Sequence, residues 1–244
     1  MTGGAKSRGR VVVVGGGAVG LAFAAACGEE VRVLEAGAPR PDRDPDPVDI
    51  RVFALSQGTR DFLLEIGAWQ RLPAERLAPV TRMEVYGDDG TSRLDFAPPA
   101  GGALAWIAEG NRLSRAIEQA ARERGATISP GIRPAAIATG DRGAEVRLED
   151  GTAIEADLLV GADGADSRVR RELGLAASAK RYPETAVVAH FRCERAPAGV
   201  ARQWFRADGI LAWLPLPGDR MSIVWSARDG VAEELAALDP EALA

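Results

Sequence analysis

Four consecutive valines, Val11-Val12-Val13-Val14, run directly into Gly15-Gly16-Gly17-Ala18-Val19-Gly20. A short all-apolar run bounded by glycine suits a strand buried on both faces of a parallel sheet. The small, apolar segment from Gly17 to Cys27 reads as a helix closed by Gly28, and Val31-Arg32-Val33-Leu34-Glu35 reads as the next strand. Together these form a βαβ opening. In the pattern G-x-G-x-x-G, Gly15 permits the tight turn and Gly17 lets a diphosphate approach the backbone. Gly20 lets the helix pack close to the strand. The helix start then offers unpaired N–H groups and the positive end of its dipole to the phosphates. Glu35 stands 20 residues after Gly15, at the end of the second strand. A carboxylate there accepts both hydroxyls of an adenosine ribose and repels a 2′-phosphate, which disfavours NADP at this turn. The plain alternative is a glycine-rich turn that only links strand to helix. Strand, helix and terminal acid, all in place, weigh against it.

The chain has 244 residues, enough for one large domain or two modest ones. A formal net charge of -5 and the lack of any Lys/Arg run argue against a nucleic-acid surface. Cys27 and Cys193 form no C-x-x-C pair, so free thiols in a reducing compartment are the simpler reading. The N-terminus lacks the apolar segment of a signal peptide, and no stretch approaches the roughly 18 apolar residues of a membrane span. The expected location is cytoplasmic, with peripheral contact at the inner membrane left open. His190 is the sole histidine. It lies in an alternating strand and reads as a packed or surface residue rather than a proton shuttle. With scattered cysteines around it, no metal site is expected.

Further along, Pro39 to Pro47 is a Pro/Asp-rich loop. Ser56 is placed to cap a helix with Phe62, Leu63 and Ile66 on one face and Gly67 past its end. Val80 to Phe96 reads as two strands joined at Asp88-Asp89-Gly90. Asn111 is expected to cap the clearest helix, in which Leu113, Ala116, Ile117, Ala120 and Ala121 recur at helical spacing before Gly125. Ala144 to Leu148 and Thr152 to Val160 flank a turn at Asp150-Gly151. Asp157 to Gly161 reads as a buried strand entering Ala162-Asp163-Gly164, and Asp166 or Ser167 caps a short helix ended by Gly174. From Thr185 to Ala227 the pattern is all strand, with a hairpin turn at Pro217-Gly218-Asp219-Arg220.

Three later stretches join the fingerprint: Asp49-Ile50-Arg51-Val52-Phe53-Ala54-Leu55-Ser56, Asn111-Arg112-Leu113, and Leu159 to Gly164 followed by Ser167-Arg168-Val169-Arg170. With the glycine turn they resemble the class A FAD-dependent aromatic monooxygenases, most closely the ubiquinone-biosynthesis hydroxylases, from about Arg10 to the C-terminus. The resemblance, not the fingerprint, favours FAD over NAD. It implies an α/β fold, para-hydroxybenzoate hydroxylase-like: a Rossmann-like FAD-binding domain with a β-sheet substrate domain, incomplete at the C-terminus. It also implies a division into a flexible tail (1–9), an FAD-binding domain (10–79 and 98–180) and a substrate domain (80–97 and 181–244). Arg51 is then expected near the FAD diphosphate, and Arg112 to give the phosphates a charge-assisted hydrogen bond. Asp163 belongs to a motif associated with both FAD and NAD(P)H. Bland readings stand beside these: Arg51 as a solvated arginine opening a helix, and Asp163 as an ordinary strand-to-turn residue. The expected cofactor-binding set is Gly15, Gly17, Gly20, Glu35, Arg51, Arg112 and Asp163, with no catalytic side chain named. The implied activity is NAD(P)H- and O₂-dependent hydroxylation of an aromatic ring, on a polyprenylated phenol or quinol of ubiquinone biosynthesis. Implied contacts are this small molecule and a peripheral membrane or ubiquinone-biosynthesis complex. A flavin would carry the oxygenating power while protein supplies position and dryness. That accounts for the lack of a Ser/His/Asp or Cys/His constellation.

Two departures from the family pattern stand out. The segment between Gly20 and Glu35 is about one helical turn shorter, and a loss near 3.6 residues keeps the same helix face inward. A third Gly-Asp fingerprint after the substrate domain is missing, and Asp239-Pro240-Glu241 opens a helix close to the last residue. The expectation is an N-terminal portion of a longer enzyme that holds FAD weakly or not at all and hydroxylates little. Two other functions compete: an NAD-dependent reductase, against which Arg51, Arg112 and Asp163 count, and a non-catalytic nucleotide-binding fragment.

Overall fold

The valines form the strand Val11–Val14, with Val12 and Val13 fully buried and a partner strand on each side. The computed structural model describes residues 7–8, 11–40, 47–98 and 101–243. By contact density the chain divides into two units, one of residues 1–44, 63–71 and 113–179, the other of 45–62, 72–112 and 180–244.

In the first unit a parallel sheet runs in the order Leu158–Gly161, Val11–Val14, Val31–Glu35, Thr127–Pro130. The helix Ala18–Cys27 makes the first crossover and buries Leu21, Ala24 and Ala25. Small side chains let it lie close to the strands. Gly28, at φ 80°, ends the helix by donating its N–H to Ala24 O, a left-handed stop that favours glycine. A second sheet holds Pro134–Gly140, Gly143–Leu148 and Ala153–Ala156 as an antiparallel meander. Its Ile137, Val146 and Ile154 pack on Val12, Val14 and Leu34, so the core lies between two layers.

The second unit is built on a six-stranded sheet. Its order is Glu184–Arg192, Arg220–Arg228, Gly209–Pro215, Val200–Arg206, Arg82–Tyr86, Arg93–Phe96. All neighbours are antiparallel except Val200–Arg206 with Arg82–Tyr86. A three-stranded sheet of Val52–Ser56, Ala105–Glu109 and Ala78–Val80 joins it. Ile107, Val80 and Ala78 pack there with Ala201 and Leu216.

Most expected elements form, and the differences have physical causes. Ser56 Oγ accepts the Thr59 N–H ahead of the helix Gln57–Glu65, but Phe62 is 39% exposed while Leu63 and Ile66 are buried. Val80 belongs to the three-stranded sheet, and the hairpin strand begins only at Arg82. Leu158–Gly161 is an edge strand with Leu158 49% exposed, not a buried one. The turn at 217–220 is a hairpin: Leu216 N–H donates to Arg220 O, and Gly218 adopts φ 77°. Asp239 Oδ1 accepts the Ala242 N–H at the start of Pro240–Leu243. Ser7–Arg8, inside the expected tail, pairs in parallel with Ile154 and Glu155. Residues 1–6 and 9–10 of that region, and 41–46 of the Pro/Asp-rich loop, lie outside the described residues.

Segments 80–97 and 181–244, expected together, share the six-stranded sheet or pack beside it. The contact-based unit also takes in 45–62, 72–79 and 98–112, because strands 52–56, 78–80 and 105–109 hydrogen-bond to one another. No helix among the described residues is long and apolar enough to cross a membrane.

Candidate cofactor-binding site

Where Val11–Val14 ends, the chain must turn beneath the neighbouring strand. Gly15 N–H donates to Leu34 O, and Ala162 N–H donates to Val14 O. Gly15 adopts φ 107°, and a Cβ there would collide with the Ala162 carbonyl and stand 2.8 Å from Asp163 Cα. Only glycine permits both the dihedral and the approach. A Cβ at Gly20 would collide with the Gly15 carbonyl oxygen, so this glycine sets the helix against the turn. Gly17 differs in kind: a Cβ there would meet nothing within 4 Å. The open space is an apolar-rimmed cleft of about 290 Å³, lined among others by Gly15, Gly17, Glu35, Ile132, Asp163 and Gly164.

Glu35 closes one side. Its Oε2 accepts the Gly16 N–H and its Oε1 the Gly37 N–H, each at 2.6 Å. The residue expected to grip a ribose therefore also ties down the glycine turn. Each carboxylate oxygen has two lone pairs, so this leaves room for hydroxyl donors.

Asp163 lies across the cleft, but its carboxylate faces its own chain. Oδ1 accepts the Ser167 hydroxyl at 2.6 Å, and Oδ2 accepts the Arg168 and Val169 N–H groups at 2.6 and 3.1 Å. Ser167 Oγ in turn caps Arg168–Glu172 through Arg170 N–H. Burial pushes the Asp163 carboxyl upward. The Ser167 hydroxyl and the Val169 and Arg168 amides outweigh it, and the acid falls below its ordinary 3.8. Asp163 thus shapes the Ala162–Gly164 turn by holding the helix that follows.

Arg51 and Arg112 belong to the second unit. Arg51 is exposed, its N–H donates to Asp49 Oδ1, and its guanidinium forms no ion pair among the described residues. Arg112 is 9% exposed and spends its Nε on Glu109 Oε1 at 3.1 Å. Arg76 reaches both oxygens of the same carboxylate, at 2.7 and 2.9 Å, and the Asp49 N–H donates to Oε2. Burial raises the Glu109 pKa, but these partners, Arg76 foremost, carry it below the usual range. Asn111 is not the cap expected of it. Its own N–H donates to Asp49 Oδ2 at 2.8 Å, so a carboxylate 62 residues away caps the helix Gly110–Glu123. Asp49 O also contacts His190 Nε2 at 2.9 Å, which makes the sole histidine a packing tie.

Sequence reasoning missed Arg40. It donates from Nη2 to Gly16 O at 2.7 Å and from Nη1 to Glu118 Oε2 at 2.6 Å. No local pattern marks it, since it follows Pro39 in a loop. The grouping of Arg76 and the Asp49 amide on the buried Glu109 carboxylate was also missed, because the three come from separate segments.

A profile of the FAD binding domain matches residues 8–243. The chain belongs to this FAD-binding family. The cradle fits the group: an uncrowded Gly17 backbone borders the cleft, and the Glu35 carboxylate lines it as well. Among curated relatives, the mitochondrial ubiquinone biosynthesis monooxygenase COQ6 of Xenopus tropicalis is 32% identical over 250 residues, covering 95% of this chain and 54% of that protein. The 3-demethoxyubiquinol 3-hydroxylase of Escherichia coli is 32% identical over 221 residues, covering 88% and 56% respectively. The chain spans about half the length of the curated relatives it matches. Among solved structures, P. aeruginosa PqsL in complex with 2-aminobenzoylacetate aligns with a TM-score of 0.77 at 23% identity, over 95% of this chain and 64% of that one. A tetrameric 2-methyl-3-hydroxypyridine-5-carboxylic acid oxygenase gives 0.72 at 20%, over 93% and 60%. These structures establish the shared fold of the FAD-binding chain, as the sequence resemblance implied.

The glycines separate fold from binding. Gly15→Ala should lower the unfolding free energy by about 1–3 kcal/mol from strain and collision, seen as a lower urea midpoint. Gly17→Val should leave stability within about 1 kcal/mol yet weaken ADP binding at least about tenfold by filling the cleft. Denaturation and calorimetric titration of both variants check this pattern. For Asp163, a depressed folded pKa contributes stability above the unfolded value and loses it as pH falls through the folded one. Asp163→Asn should therefore be destabilised at pH 7, with the gap to wild type closing below about pH 4. Urea midpoints measured across that range would contradict it by showing a constant or widening gap.

Proposed function

We propose that this protein acts as a flavin-dependent ring hydroxylase on a polyprenylated phenol or quinol of ubiquinone biosynthesis, with NAD(P)H and O₂ as co-substrates. The observation that carries the proposal is the Gly17 backbone facing open space opposite Glu35, in a chain of an FAD-binding family with relatives named as ubiquinone-pathway hydroxylases. FAD, when bound, supplies the redox and oxygen-activating chemistry.

The chain's residues divide the remaining work. Gly15 and Gly17 bring backbone to the diphosphate, Gly20 seats the helix whose N-terminus faces it, and Glu35 accepts from the ribose hydroxyls. Arg51, exposed, and Arg112, held by Glu109, belong to the second unit. Asp163 holds the turn at 162–164 so that its backbone borders the cleft. The first unit serves the cofactor, and the six-stranded sheet of the second serves the substrate. Titrating FAD into the chain tests this reading. Weak but saturable binding with a perturbed flavin absorbance band is expected, weakened further, at least about tenfold, by Glu35→Ala. A chain that binds NAD but not FAD would instead support a reductase. Binding of FAD with no NAD(P)H oxidation when a prenylated phenol is added would leave a nucleotide-binding module.

Contact with a membrane surface belongs to the same proposal. Leu94 and Phe96, alternate residues of the edge strand Arg93–Phe96, are 61% and 48% exposed and support it. The chain should sediment with phospholipid vesicles, and Leu94→Asp/Phe96→Asp should stay in the supernatant. Equal partitioning of both proteins would remove this part.

A further inference from the structure

The glycine turn is gripped by two side chains, one on each edge of the same residue. Glu35 accepts the Gly16 N–H, and Arg40 donates to the Gly16 carbonyl. A trans peptide is planar, with its C=O and the following N–H pointing in opposite directions. Fixing the Gly16 carbonyl therefore fixes the direction of the Gly17 N–H. Gly17 borders the cleft, and its carbonyl already accepts Leu21 N–H in the first turn of the helix. Rotation of the Gly16–Gly17 peptide is the remaining freedom that would turn that donor away. Arg40 is itself held: Nη1 pairs with Glu118, which is 14% exposed and also accepts from Arg122 at 2.9 Å. Burial raises the Glu118 pKa, but Arg40 and then Arg122 outweigh it and keep the carboxylate ionised.

We infer that Arg40, anchored by Glu118, is a positioning residue that aims the Gly17 N–H at the nucleotide diphosphate. This rests on the dinucleotide reading of the turn and adds a residue that no motif marks. A direct phosphate contact and a latch make opposite predictions for Glu118. If Arg40 acted only through its charge, Glu118→Gln would remove a nearby anion, free the guanidinium and tighten the binding of an anionic ligand. If Arg40 acts as a latch, Glu118→Gln loosens it and weakens binding.

The test is calorimetric titration of the 244-residue chain with ADP, FAD and adenosine, together with melting of the ligand-free variants. Arg40→Ala and Glu118→Gln should each weaken ADP and FAD about tenfold, with adenosine changed less than about twofold. Arg40→Lys should recover part of the loss. Tighter ADP binding by Glu118→Gln, an equal loss for adenosine, or unchanged ADP affinity in both variants overturns the latch. A wild-type chain that binds neither ADP nor FAD removes the nucleotide reading beneath it, a result distinct from any of these.

Discussion

The site depends on two backbones passing closer than any side chain allows. Gly15 lies against the Ala162–Asp163 peptide at a distance that excludes a Cβ, and the hydrogen bonds Gly15–Leu34 and Ala162–Val14 lock the crossing. The helix is pressed onto this crossing because Gly20 also lacks a Cβ. Beside this crossing, Glu35 and Arg40 hold the two edges of Gly16, and Gly17 borders the cleft. Burial of Val12, Val13 and Leu34 holds the strands that carry the turn.

The ionisable groups around the cleft act mainly on the protein itself. Glu35 holds the amides of Gly16 and Gly37, and Asp163 holds those of Arg168 and Val169. Such carboxylates are acceptors only and bind N–H groups strongly, so they stiffen a loop before any ligand arrives. A rigid cradle lowers the ordering cost of binding. In the second unit, Glu109 gathers Arg76, Arg112 and the Asp49 amide around one buried carboxylate, while Asp49 caps a helix and meets His190. Removing one member would leave a buried charge without its partner, so the network fixes where Arg112 can point.

Much of this was legible in the residues because the governing physics is local. Gly28, Gly125 and Gly174 take positive φ where helices were expected to end, and Ser167 caps where a cap was expected. Errors arose where the deciding partner was distant or the surroundings differed. Asn111 has a cap residue's chemistry, yet Asp49 occupies the cap position from another segment. Leu158 has a buried residue's chemistry, yet its strand lies at a sheet edge. Strand Ala105–Glu109 drew no expectation, although its Ile107, Ala108 and Glu109 are buried.

The sequence alone determined the opening strand, the glycine turn, the acid at its far side and the family to which these point. Glycine count, apolar runs and capping residues act over a few neighbouring positions, where backbone sterics leave few options. Tertiary structure alone decided which distant groups complete the cradle: Arg40 reaches Gly16 across 24 positions and Glu118 across 78, and Asp49 reaches Asn111 across 62. Those pairings depend on strand order and on the path of loops, and nothing in the spacing of one segment encodes the place of another.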